Sequence, residues 1–265
     1  MFKLRVRARI LSIIVSVLVL SGLSLTSCAQ FAGATEPKTV RVFSARTASV
    51  GLIKTFVSDS AVRIELGDEQ TYLVAAAPTW KVVLFNAKTQ KGLNMSYEQW
   101  LAHTTSWNYG SDDAFLDQVP LLKVGPLKVQ RLDCVRYALA TRLADGKIVP
   151  KRSGLPGEYV VYENGKVPVQ AIRIIGRAFN LPLIDGLPVR LTLFEKPGEK
   201  AEVSALTRRI GGVTHYYEFT GYSECPFKQA LFSYPGSFKS VRKEAEVFMD
   251  PGRTKQVEQL LDYMK

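Results

Sequence analysis

The chain has 265 residues, 46% of them hydrophobic and 22% charged, with a formal net charge of +11. These proportions exclude collagen-like, low-complexity and intrinsically disordered chains, while the length alone is a soft prior for two domains. Both figures change once the N-terminus is read. Met1 to Arg9 carries Lys3, Arg5, Arg7 and Arg9 with no acid, and Ile10 to Leu25 follows without a charge. A basic head before an apolar run is the pattern of an export signal. Residues 1–27 hold four basic side chains and no acidic one, so their removal lowers the net charge from +11 to +7. An exported, moderately basic globular chain is expected, and a cytosolic metabolic role is not.

The apolar run ends in Leu25-Thr26-Ser27-Cys28, which resembles the lipobox of bacterial lipoproteins. The resemblance implies cleavage before Cys28, a diacylglycerol on its thiol and an acyl group on its new amino group. Residues 1–27 would then be a signal peptide, 28–38 a tether and 39–265 a single domain. Several acyl chains, at about 0.8 kcal/mol per buried CH₂, make such attachment stable. Ala29 stands where diderm lipoproteins retained at the inner membrane carry aspartate, which points to the periplasm-facing side of an outer membrane. Two other readings stay open: a secretory signal cut near Ala32 or Ala34, and an uncleaved anchor, because the uncharged stretch can cross a layer of roughly 30 Å. With Cys28 assigned to lipid, Cys134 and Cys225 remain, and two thiols outside the cytoplasm suggest one disulfide. Two buried, unpaired thiols are the alternative.

From Thr39 onwards, short runs rich in Val, Ile, Phe and Thr alternate with polar turns, the signature of successive strands. Strands are expected at 39–45, 49–58, 61–66, 71–77, 80–85 and 92–95. In Val62-Arg63-Ile64-Glu65-Leu66 the alternation is strict, so the three apolar residues should face one side. Ser96 with Gln99 forms a capping box before a short helix over 97–103. Asp112 and Asp113 suit a helix N-terminus better than a cation site. Strands are expected again at 128–133, 135–143 and 158–163. Val169 to Asn180 then shows a broad apolar stripe with Arg173 and Arg177 opposite, which predicts a helix. Later strands are expected at 189–194, 203–210, 214–220 and 230–234, and an amphipathic helix at 254–264. About ten sequential strands with two or three inserted helices argue for one α+β domain, mainly β.

Motifs for chemistry are absent. Gly146-Lys147 and Gly165-Lys166 lack the hydroxyl and the leading glycine of a phosphate loop. Gly221-Tyr222-Ser223-Glu224-Cys225 ends in cysteine where a nucleophile elbow needs glycine. Ser240-Val241-Arg242-Lys243 has no Ser-Asp-Asn or Lys-Thr-Gly partner. His103 and His215 lie far from each other and from ligand spacing with any cysteine, so no metal is expected. The basic residues are scattered, densest at Lys147-Lys151-Arg152, Arg208-Arg209 and Lys239-Arg242-Lys243. Anionic headgroups, at about 1 kcal/mol per residue near the surface, suit them better than nucleic acid.

Four segments together resemble the family of the lipoprotein-localisation proteins LolA and LolB: Phe56 to Glu65, Val82 to Thr89, Val129 to Tyr137 and Ala230 to Lys239. The resemblance implies a curved antiparallel sheet forming an unclosed half-barrel, with two or three helices over a hydrophobic concave face that can receive acyl chains. A sheet with so few helices to cover it leaves room for such a concavity. Trp80, Phe85, Trp100, Trp107, Ile174, Ile175, Phe179 and Leu183 are expected to line or lid it, and the same residues would equally build a solid core. Two functions follow: a non-catalytic, cofactor-free envelope lipoprotein that binds lipid or lipoprotein acyl chains, or a structural and interaction lipoprotein of the same fold without a ligand.

Overall fold

The computed structural model describes residues 39–47, 50–67, 70–103, 119–150, 157–163, 167–194, 208–210 and 213–248. The expected helix at 254–264, the segment around Asp112 and Asp113, and everything before Thr39 lie outside them. The described residues belong to one compact unit.

The first six strands are β1 (Thr39–Thr47), β2 (Gly51–Val57), β3 (Ala61–Leu66), β4 (Thr71–Ala76), β5 (Val82–Asn86) and β6 (Lys91–Met95). Each pairs antiparallel with the next, as short loops between alternating segments require. Helix α1 (Tyr97–Ala102) follows β6, and strands β7 (Leu121–Val129), β8 (Leu132–Arg142), β9 (Ile148–Pro150) and β10 (Gly157–Tyr162) come next. Helix α2 (Val169–Ala178) leads to β11 (Leu187–Phe194), β12 (Arg208–Ile210) and the long β13 (Val213–Pro226). A 3₁₀ helix (Gln229–Phe232), the two-residue β14 (Lys239–Ser240) and helix α3 (Glu244–Phe248) complete the described chain.

These strands build one curved, unclosed sheet, mainly antiparallel, in the order β14-β6-β5-β4-β3-β2-β1-β13-β11-β10-β8-β7. The expected half-barrel with few helices is therefore what the structure shows. β1 and β13 sit side by side near its middle, pairing Thr39 with Pro226 and Thr47 with Tyr217.

The alternation of side chains assigns two faces. Val62, Ile64 and Leu66 point into a large inner cluster, together with Phe43, Ile53, Leu73, Leu84, Leu191 and Tyr217, and all three helices pack against it. Arg63 and Glu65 point outwards, as their spacing requires. The outer face carries a second, smaller cluster of Val40, Val42, Ala61, Val74, Val83, Phe85 and Phe232, with Phe227, Leu231 and Phe238 packed onto it. The chain after β13 thus folds back over the outer side of β3 to β5. Arg63 fixes it there: its guanidinium donates to the Leu231 carbonyl oxygen at 3.3 Å and lies 4.0 Å from the Tyr72 ring centre.

Several expected boundaries are corrected. Residues 128–133 are not one strand. Gln130 takes a positive φ of 51° and makes, with Arg131, the turn between β7 and β8. Residues 230–234 are not a strand but fall in and after the 3₁₀ helix, whose Phe232 anchors in the outer cluster. The strand expected at 214–220 runs on to Pro226, because it has β1 beside it over that whole length.

Candidate functional site

The inner face of the sheet, with the helices lying on it, is where the candidate residues are expected to meet. Helix α1 begins at the expected capping box: the Ser96 hydroxyl accepts from Gln99 N at 3.1 Å, and Gln99 Oε1 accepts from Ser96 N at 2.8 Å. This sets the direction in which Trp100 enters the core. Trp100 is fully buried, and its Nε1 donates to the Ile174 carbonyl oxygen of α2 at 3.3 Å. Helix α2 turns Ala171, Ile174, Ile175 and Ala178 into the inner cluster. It ends where Asn180 adopts a positive φ of 49° and Leu181 N bonds back to the Gly176 carbonyl. Phe179 then packs on Tyr217, with ring centres 5.8 Å apart.

The candidate residues divide accordingly. Trp80, Trp100, Ile174, Ile175 and Phe179 meet in the inner cluster, none of them more than 7% exposed. Phe85 does not join them. Along β5, Val82 and Leu84 point inwards and Val83 and Phe85 outwards, so Phe85 stands 5.2 Å from Tyr72 on the opposite face. Leu183 lies in the loop after α2 and is 43% exposed, leaning on Gly176, where a Cβ would come within 2.8 Å of its Cδ2. Trp107 and Cys28 lie outside the described residues.

Polar side chains tie the three helices together. His103, which ends α1, places Nε2 2.7 Å from Oε2 of Glu244, the first residue of α3. Glu244 is 3% exposed and His103 is half-buried, with its ring 6.0 Å from that of Trp100. The Arg177 guanidinium of α2 donates to the His103 carbonyl oxygen. No local pattern announces this junction, because its members are 74 and 141 residues apart.

Elsewhere on the inner face, Tyr137, Tyr159, Leu191 and Tyr217 stand in one row across β8, β10, β11 and β13. Burial pushes the phenols of Tyr159 and Tyr217 far above the ordinary tyrosine range. The Tyr137 phenol is raised to about 12 by burial and by its bond to Glu163, to which it donates at 2.7 Å.

The expected disulfide is not formed. Cys134 and Cys225 are both free thiols. β10 and β11 intervene between β8 and β13, a separation of roughly 14 Å at about 4.8 Å per strand. A disulfide tolerates no more than about 7 Å between Cα atoms. Cys134 belongs to the inner cluster and Cys225 packs against the outer one. Among the described residues no group of three His, Cys, Asp or Glu could hold a metal ion, and no helix is long and apolar enough to cross a membrane.

No family model and no curated protein matches the sequence. Solved structures to which the chain is similar include an uncharacterized conserved protein from Thermus thermophilus, at 10% identity over 78% of this chain and 92% of that one, with a TM-score of 0.38. A second is MucB, at 14% identity over 82% of this chain and 64% of that one, with a TM-score of 0.36. A third is the LolA superfamily protein NE2245 from Nitrosomonas europaea, at 9% identity over 76% and 92%, with a TM-score of 0.25.

Proposed function

We propose that the protein is a membrane-anchored lipoprotein of the cell envelope that binds acyl chains between the inner face of its half-barrel and the helices above it, without catalysis. The anchor is Cys28, read from the lipobox. The observation that carries the binding reading is the way the inner face is covered. A sheet of this size is overlaid, among the described residues, by helices of only 6, 10 and 5 residues. They set Trp100, Ala171, Ile174, Ile175, Ala178 and Val247 into the inner cluster, and the polar ties described between them are Trp100 to Ile174, Arg177 to His103 and His103 to Glu244. Helices fastened to one another, and set on the sheet through buried apolar residues such as Trp100, Ile174, Ile175 and Val247, can shift as a group, and acyl chains would replace the apolar contacts they give up at about 25 cal/mol per Å².

A second reading has its own observation. Trp100, Ile174, Ile175 and Phe179 are each 1% exposed or less, so they already form a solid core, which suits a structural or interaction lipoprotein with no ligand. Incubating delipidated protein with envelope lipids and identifying by mass spectrometry what co-purifies separates the two. Reproducible recovery of acyl lipids is expected, and protein that stays empty would overturn the binding reading.

A further inference from the structure

Thr55 sits at the centre of the inner face and is 2% exposed. Along β2 its neighbours on that face are Ile53 and Val57, and across the strands they are Phe43 and Ile64, all four in the inner apolar cluster. Its Oγ1 is buried and makes no hydrogen bond among the described residues. The other buried threonines of the sheet are engaged. Thr47 accepts from Val50 N at 3.2 Å, Thr71 from Asn86 at 2.9 Å, and Thr192 lies 3.4 Å from His215 Nδ1. Valine would fill the same volume at Thr55 without the cost of an unsatisfied buried hydroxyl.

We infer that the Thr55 hydroxyl is the recognition point for a neutral carbonyl oxygen at the head of an acyl chain, that of an ester or amide. The inference rests on the acyl-binding reading above and adds to it the chemical group that is recognised. A hydroxyl can donate to a carbonyl oxygen, and an orphaned donor in apolar surroundings gains most from such a bond. An ionised carboxylate is disfavoured at the same place, because burying it needs a cation. Arg41, which pairs with Val57 across the strands, lies 3.6 Å from the Asp59 carboxylate. An apolar chain running on from the carbonyl would lie along Phe43 and Ile64 beneath α2, which packs against β3.

The test compares a dioctanoylglycerol diester with its diether analogue, which keeps the chains and loses the carbonyls, on the full-length protein and on Thr55→Val and Thr55→Ser. The unmodified protein should bind the diester about five- to tenfold more tightly, the worth of one hydrogen bond. Thr55→Val should abolish that preference without lowering the thermal midpoint, and Thr55→Ser should keep it. A diester preference that survives in Thr55→Val, or is missing from the unmodified protein while both compounds bind, overturns the inference but leaves acyl binding intact. Binding of neither compound overturns acyl binding and this inference with it. A triacylated lipopeptide included beside the diester distinguishes the sources: whichever binds more tightly supplies the carbonyl.

Discussion

Single side chains decide how the two faces of the sheet are used, and Arg63 is the clearest case. It alternates outwards between two buried neighbours, and its guanidinium meets the Leu231 carbonyl oxygen, the Tyr72 ring and Glu65. The contact with Glu65 is a partly exposed ion pair and contributes little. The other two hold the 3₁₀ helix on the outer face. Arg63→Met keeps the apolar stem and removes both, so a loss of about 1–2 kcal/mol is expected in urea unfolding; an unchanged midpoint would show that Phe232 alone seats the helix. The two thiols are decided at the same scale. Burial pushes the Cys134 thiol up, whereas Cys225 is only half-buried. Cys225 should react first with a thiol reagent, Cys134 only as the protein unfolds, and reducing agent should leave the thermal midpoint where it was. A fall in the midpoint under reducing conditions would reinstate the bridge, whose large loop would be worth about 4 kcal/mol.

At the scale of elements, what sequence periodicity reveals depends on whether an element carries its own signal. β3 is legible because Val62, Ile64 and Leu66 alternate with charges, and α1 because Ser96 and Gln99 cap it locally. Helix α2 is legible through its apolar stripe, although Arg177 serves the helix junction instead of facing solvent alone. The β7–β8 turn is hidden because its left-handed position is filled by Gln130, with no glycine or asparagine to announce it. The 3₁₀ helix and α3 escape because four and five residues are too short to show a period. The face of Phe85 is hidden because Val82 to Phe85 is apolar throughout, and a continuous run does not tell which residues point inwards. Thr55 is invisible for another reason: nothing in a strand's sequence says whether a hydroxyl finds a partner. Even so short an element as β14 has a packing requirement. At Gly92 of β6 a Cβ would stand 2.5 Å from the Phe238 ring, so the ring lies where a side chain would be. Gly92→Val should expel Phe238, loosen the parallel pairing of Lys239 with Lys91 and cost about 1–3 kcal/mol. Combining it with Phe238→Ala should cost less than the two changes summed, as expected of residues in contact.

At the scale of the whole molecule, the inner face is either a packed core or a solvated concavity, and its tyrosines report which. Tyr137, Tyr159 and Tyr217 lie in one row, and Tyr222 lies across from Phe43. All four phenols are raised, Tyr137 to about 12 and the other three further, with burial as the largest cause in each. In the unfolded chain a phenol ionises near pH 10. Between pH 10 and 12 the unfolded state therefore holds fewer protons than the folded one, and stability falls as pH rises. Below pH 10 both states are protonated and the contribution of these groups is complete. The phenols sit on β8, β10 and β13, which are linked through β11, so a charge forced onto any one of them strains the shared core beneath the helices. The thermal midpoint should decline from about pH 10 upwards, and phenolate absorbance should appear together with loss of near-ultraviolet circular dichroism. Tyr137→Phe should make the decline shallower. If the phenols of the folded protein instead titrate near pH 10 with the tertiary signal intact, water already reaches the row. The half-barrel would then stand open, and acyl chains would enter it without moving the helices.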